Sequence, residues 1–336
     1  MIRRSLIVLL GALALAGCGQ PDAGAGGDAT PGEINFSVLA PEGASSMQIF
    51  WAPILADMEK ATGLKVKPFY GANYTALVEA MRFGQTDVGW FSNQIGVEAV
   101  RRGGGEVFAR TFDPSGDDGY KSVLIVPASS KTTLEDVLKC DKTLTFGAGD
   151  AKSTSGTLAP MTYLFVPRGV DPQGCFKTMR AGNHQANLMA VAKGVLDVAT
   201  NNTTSMRLQK DRGAAVADQV RVIWESPKLP EDPIIWRKAL DPAVKEKLRA
   251  FFLTYGQGEG TEKARERELL SKISIGGFLP ADDTHLLIVR EMEAVGALQE
   301  ARNRRDQAAI AEGQKALDGI RAERAAVEAK IGQPVQ

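Results

Sequence analysis

The 336-residue sequence has little of what metal-binding, nucleic-acid-binding or membrane-spanning proteins are built from. It holds two histidines and three cysteines, and Cys140 and Cys175 have no histidine or acidic cluster close by, so a zinc site would be incomplete. Forty basic residues offset forty acidic ones, which points to neither nucleic acid nor a polyanionic surface as partner. Any anion must therefore be held by local donors. The glycine-rich stretch Gly149 to Gly156 lacks the Gly-Lys-Ser/Thr ending of a P-loop, and there is no Gly-x-Ser-x-Gly elbow or His-Glu-x-x-His motif. Nucleotide hydrolysis and metalloenzyme chemistry have no residues to carry them, so no catalytic residue, metal or cofactor is expected. The apolar run Leu6 to Ala16 is too short to span a bilayer as a mature helix.

That run follows the basic Met1-Ile2-Arg3-Arg4, which makes it an export signal, and it ends in Leu15-Ala16-Gly17-Cys18. Small residues before a cysteine look like a bacterial lipobox, in which Cys18 is lipidated and becomes the new N-terminus; the alternative is a plain signal with an incidental cysteine. Gln20 to Pro31 offer almost nothing large to bury and read as a flexible tether. The expected location is the periplasm or cell surface, at a membrane through the lipid anchor. Once Cys18 is assigned to the anchor, Cys140 and Cys175 remain, and in an oxidising compartment a disulfide between them is predicted over two separate buried thiols.

Length, with 44% hydrophobic and 24% charged residues, suggests a soluble α/β protein of two lobes. Strand, polar turn and helix alternate from Ile34 onward, and Ser122-Val123-Leu124-Ile125-Val126 reads as a buried strand making the first crossing between lobes. The expected division is 1–17 signal, 18–32 tether, 33–124 with 232–284 as the first lobe, 125–231 as the second, and 285–336 as a C-terminal helical extension. The sparse apolar stripe Leu298, Ile310, Leu317, Ile320, Val327 and Ile331 fits a helical hairpin packed on the body, with a homodimer contact as the sharper alternative.

Thr145 to Leu158 carries the chemistry: a strand gives way to glycines and then to Ser153, Thr154 and Ser155 at the expected start of a helix running from Gly156 to Arg168. Glycine lets the backbone approach a ligand, and hydroxyls beside unpaired helix N–H groups make an anion cradle; an ordinary N-cap is the competing explanation. Loops at strand C-terminal ends gather further neutral donors: Ser45 and Ser46, Tyr74, Ser92 and Asn93, His184, and Asn202 to Thr204, together with Asp232. Asp232 can accept a hydrogen from a P–OH or an ammonium group, and would repel a fully ionised anion.

Ser153-Thr154-Ser155-Gly156, Asn183-His184-Gln185-Ala186-Asn187, Asp197 to Asn202, Asp232-Pro233 with Trp236-Arg237, and Met81-Arg82-Phe83 with Asp87 resemble segments of the phosphonate-binding proteins of bacterial ABC importers. The similarity covers nearly the whole chain after the tether. It implies a type II periplasmic-binding-protein fold, two α/β lobes joined by two crossover strands, that closes on a phosphonate, phosphite or related ligand and delivers it to an ABC permease and its ATPase. It also implies that Tyr120, Ser153, Thr154, Ser155 and His184 bind the phosphonate, with Tyr74 lining the pocket and Ser46, Asn202 and Thr204 as secondary candidates. Relatives that take aminoalkylphosphonates hold the amine with two acidic groups. Asp232 matches one, and Thr204 stands in place of the other, leaving a lone carboxylate. A membrane-tethered sensor of the same fold, or an exported enzyme acting on a phosphate ester, are the alternatives.

Overall fold

The computed structural model describes residues 32–331. The export signal, Cys18 and nearly all of the tether lie outside them. In chain order come β1 (Glu33–Val38), α1 (Ala44–Thr62), β2 (Lys65–Tyr70), α2 (Tyr74–Arg82), β3 (Val88–Trp90), α3 (Asn93–Arg102) and β4 (Gly105–Phe112). The short β5 (Gly119–Tyr120) leads to β6 (Ser122–Pro127), α4 (Leu134–Leu138), β7 (Thr145–Ala148), α5 (Pro172–Cys175), β8 (Thr178–Ala181), α6 (His184–Ala192), β9 (Val198–Asn202), α7 (Thr203–Asp211) and β10 (Val220–Glu225). The chain returns through β11 (Leu229–Pro230) to β12 (Pro233–Arg237), α8 (Pro242–Thr254), α9 (Thr261–Ser271) and β13 (Gly277–Pro280), and ends in α10 (Leu287–Asn303) and α11 (Gln307–Ile331).

Two mixed sheets organise these elements, one of order β13-β4-β12-β3-β1-β2 and one of order β10-β6-β9-β7-β8. In the first, β1 runs parallel to β2 and β3; in the second, β7 runs parallel to β8 and β9. The apolar run Ser122 to Val126 is an interior strand of the second sheet, paired with β9 and β10, and not the crossing that was expected of it. The reason is burial on both faces: Leu124 and Val126 pack into one cluster, Val123 and Ile125 into another. The crossings are instead β5 and β11, antiparallel with Leu229 opposite Tyr120, so the first lobe ends before Ser122.

The first lobe has the larger core, built around Phe36, Trp51, Trp90, Phe108, Trp236, Phe252 and Phe278, with Phe108 stacked on Trp236 at 3.8 Å. Each such side chain contributes roughly 1.5–3 kcal/mol on burial. The second lobe centres on Phe146, Phe165 and Phe176 and carries the predicted Cys140–Cys175 disulfide, which ties the loop before β7 to α5. A small cluster of Tyr120, Ala159, Leu229 and Met292 fills the hinge, with α10 covering it. From there α10 ion-pairs to α3 through Arg101 and Glu293 at 2.9 Å, and it pairs with α11 through Glu291, which both Arg321 and Arg324 reach.

The two lobes repeat the same local devices 110 residues apart. Asn73 caps α2 by accepting from Ala76 N at 3.0 Å, and Asn183 caps α6 by accepting from Ala186 N at 2.8 Å. Gly84 and Gly194 end those helices at a φ of 69°, a left-handed turn that side chains disfavour. Asp87 and Asp197 then accept from β1 and β7 of their own sheets, at Asn35 N and Thr145 N. Ser92 and Asn202 stand at the N-caps of α3 and α7. Helix N-termini of both lobes consequently face one cleft.

Candidate functional site

Gly149 and Gly156 set the shape of the cradle. Gly149 N donates to Gly156 O at 3.0 Å, and a Cβ on Gly149 would lie 2.5 Å from Gly156 Cα, so neither residue tolerates a side chain. The helix beyond begins at Thr154, two residues earlier than expected, and is wound as π-helix over Thr154–Leu158 and Met161–Phe165, with a 3-10 end at Val166–Arg168. Such turns recur at functional sites. Ser153 is the N-cap, its Oγ accepting from Gly156 N at 3.0 Å, which leaves its O–H free to donate. Ser155 Oγ accepts from Asn202 Nδ2 at 3.1 Å and lies 3.5 Å from His184 Nε2. Thr154 Oγ1 accepts from Gln94 N of the first lobe at 2.9 Å, so the middle hydroxyl already spans the cleft.

Ser153, Thr154 and Ser155 line a cavity of about 60 Å³ between the lobes, which they share with Tyr74, Tyr120, His184, Asn202, Thr204 and Asp232. Ser92 lies in the lining as well, whereas Ser46 and the exposed Ser45 on α1, Asn93 and Thr203 lie outside it. The α1 entrance contributes Glu42 and Met47 instead. His184 opens α6, is held by a cross-lobe bond from its own N–H to Pro41 O at 3.2 Å, and keeps Nδ1 unpartnered. Burial pushes its imidazole down to about 4, so it is neutral near pH 7. Burial, reinforced by neighbouring carboxylates, holds the Tyr74 and Tyr120 hydroxyls well above the usual tyrosine range, which keeps them as donors.

The opposite wall is acidic. Glu42, Glu231 and Asp232 all line the cavity, and among the described residues no lysine or arginine does. Asp232 is thus joined in the lining by two glutamates, of which Glu42 has both oxygens taken by Ser205 and Gln209 of the second lobe. Asp232 accepts from Asn93 Nδ2 at 3.2 Å, while Glu231 accepts from Thr111 Oγ1 at 3.3 Å through one oxygen and leaves Oε1 buried and unpartnered. Burial, then the charge of Asp113, raises Glu231 to about 7; burial, then Glu231, raises Asp232 well above the usual carboxylate range. The other histidine, His285, donates from Nε2 to Glu231 O at 2.6 Å, so the C-terminal extension pins this wall. Trp90 Nε1 and Thr204 Oγ1 are further buried atoms of the lining with no partner. Donors on one side and carboxylates on the other suit a ligand with an oxyanion at one end and a proton or positive charge to give at the other.

Glu42 and Glu231 were not legible as site residues, because a glutamate in Pro-Glu-Gly or Pro-Glu-Asp reads as a solvated turn. The 110-residue repeat was the available signal: it sets Glu42 beside the cradle, one residue before Gly43, as Lys152 stands one residue before Ser153.

Residues 36–286 match the family model described as "ABC transporter, phosphonate, periplasmic substrate-binding protein". A phosphonates-binding periplasmic protein of Escherichia coli is 37% identical over 267 residues, 79% of this chain and 77% of the relative. A binding-protein component of an ABC phosphonate transporter from Pseudomonas aeruginosa superposes with a TM-score of 0.79 at 37% identity, covering 89% of this chain and 97% of its own. PhnD1 from Prochlorococcus marinus, solved with methylphosphonate, shares the fold at a TM-score of 0.68 and 19% identity, over 78% of this chain and 97% of its own. The fold is that of type II periplasmic binding proteins, and the chain belongs to the family of periplasmic substrate-binding components of phosphonate ABC transporters.

Proposed function

We propose that the protein is a lipid-anchored receptor that captures a small phosphonate or related phosphorus oxyanion in the interlobe cavity and delivers it to an ABC permease. The observation that carries this is the pairing of walls: Ser153 and Ser155 with His184 on one side, Glu231 and Asp232 on the other, around about 60 Å³. A ligand of a few heavy atoms fills such a space. With no lysine or arginine in the lining among the described residues, the acidic wall disfavours a dianion and favours a form that keeps a P–OH proton or carries an ammonium group. Anchoring rests on Leu15-Ala16-Gly17-Cys18 in the sequence. Roles for the individual side chains follow from their positions: Tyr74, Tyr120, Ser153, Ser155 and His184 toward the oxyanion, Asp232 and Glu231 toward its proton or cationic substituent.

Calorimetry with methylphosphonate, aminoethylphosphonate, phosphite and a phosphate monoester tests the receptor function; at least one is expected to bind, and heat from none of them would overturn the proposal. Cys18→Ser is expected to release the protein from the membrane fraction, and unchanged fractionation would remove the anchor.

A further inference from the structure

Glu42 belongs to the first lobe, yet both its oxygens are spent on the second. Oε1 accepts from Ser205 Oγ at 2.6 Å and Oε2 from Gln209 Nε2 at 2.6 Å, both on α7, and the side chain is 3% exposed. Lys152 sits 110 residues later, the position equivalent to Glu42, and does the reverse: it belongs to the second lobe and pairs with Glu98 of α3 in the first. The partner helices are themselves equivalent, since α3 and α7 follow the N-caps Ser92 and Asn202. The residue just before Gly43, the N-cap of α1, and the one just before Ser153, the N-cap of the cradle helix, thus each reach across the cleft to the matching helix opposite. Glu98 is 8% exposed and is also paired with Arg102 at 3.1 Å, so its end of the contact is held in place. Arg207 with Asp113 adds a cross-lobe pair beside the first of these contacts, with no counterpart in the repeat.

We propose that Glu42 and Lys152 are paired closure latches, positioning residues of opposite charge that hold the two lobes shut and thereby set the residence time of the ligand; this rests on the receptor reading above. An open form would separate α7 from the β1–α1 loop and α3 from the cradle loop, leaving Glu42, Ser205, Gln209 and Lys152 to water while Glu98 keeps Arg102. A charge-assisted hydrogen bond lost from the closed form corresponds to about a tenfold to hundredfold fall in its population. Apparent affinity scales with the fraction of molecules that can close, so the loss appears in dissociation more than in encounter. Lys152 does not line the cavity, which separates its effect from any contact with ligand.

Two readouts test this on the whole protein. In the ligand-free state, hydrogen exchange at the His184 amide reports closure directly, because that N–H lies at a helix start and bonds only to Pro41 O across the cleft. Glu42→Ala and Lys152→Met are each expected to speed that exchange about tenfold, and Lys152→Met with Glu98→Gln should be no faster than either alone, as a shared contact requires. With methylphosphonate as probe, Lys152→Met should raise the dissociation rate about tenfold and leave the association rate within about twofold. Unchanged amide exchange in both single variants, or additive effects of Lys152 and Glu98, would overturn the latches. If methylphosphonate and the other ligands fail to bind while exchange responds as described, the latches stand and the receptor reading is what fails.

Discussion

Replacing Glu231 with glutamine removes a buried charge while keeping the side chain's shape, and the consequence can be worked from its surroundings. One oxygen accepts from Thr111, the other has no partner, and burial with the nearby Asp113 raises the carboxyl from 4.5 to about 7. A raised acid binds its proton more tightly in the folded state than in the unfolded chain, so between those two values folding retains a proton that unfolding releases. The group's contribution is therefore fully favourable below about pH 4.5 and is lost as pH rises through about 7. At about 1.4 kcal/mol per unit, the ionised side chain costs the folded protein on the order of 3 kcal/mol at pH 8. Glu231→Gln should thus stabilise the ligand-free protein by about 2–3 kcal/mol at pH 8 and by nearly nothing at pH 4.5. Denaturant melts of both proteins at the two pH values check this, and the same dependence on pH in the variant as in the parent would refute the reasoning. The gain in stability should come with weaker ligand binding, as expected of a charge kept for function at a cost to the fold.

Ser155→Ala removes the acceptor for Asn202 and the hydroxyl beside His184, and should lower affinity about tenfold to a hundredfold with little change in melting temperature; calorimetry and a thermal melt read both, and unchanged affinity would leave Ser155 as packing alone. Gly149→Ala forces a Cβ against the Gly156 backbone at 2.5 Å and should destabilise by about 2–3 kcal/mol while abolishing binding, so a wild-type melt would contradict the close approach. Reducing the Cys140–Cys175 bridge frees a 35-residue separation and should cost roughly 3–4 kcal/mol, seen as a fall of several degrees in melting temperature; no fall would mean that the second lobe does not depend on it.

What could be read from the sequence was whatever announces itself within a few residues. The disulfide between the two cysteines left after Cys18 and the strand-helix alternation of the lobes are of this kind and stand in the structure as expected, and the run Ser153-Thr154-Ser155 does lie at a helix start, although that helix begins at Thr154, two residues earlier than expected. The crossing and the acidic wall are not local. Ser122 to Val126 reads as a buried strand wherever it is placed, and only the pairing of β6 with β9 and β10 decides that it lies inside a sheet. Glu42 looks like any polar turn residue until α7 folds against it and Ser205 and Gln209 take both its oxygens. Long-range partners like these are set by tertiary packing, which no window of sequence contains. The 110-residue repeat is the one long-range signal that the sequence did hold. Its traces, an Asn-x-x-Ala cap, a glycine turn and an Asp-Val pair, are short enough to pass as ordinary helix ends, yet together they place Tyr74 opposite His184 and Glu42 opposite Lys152. The repeat explains why a cleft forms where it does: two copies of one helix-start geometry face each other. What differs between the copies explains its chemistry, since Ser153, Thr154 and Ser155 line the cavity in the second lobe and Ser45 and Ser46 do not in the first, which together with its returning strand supplies the carboxylates.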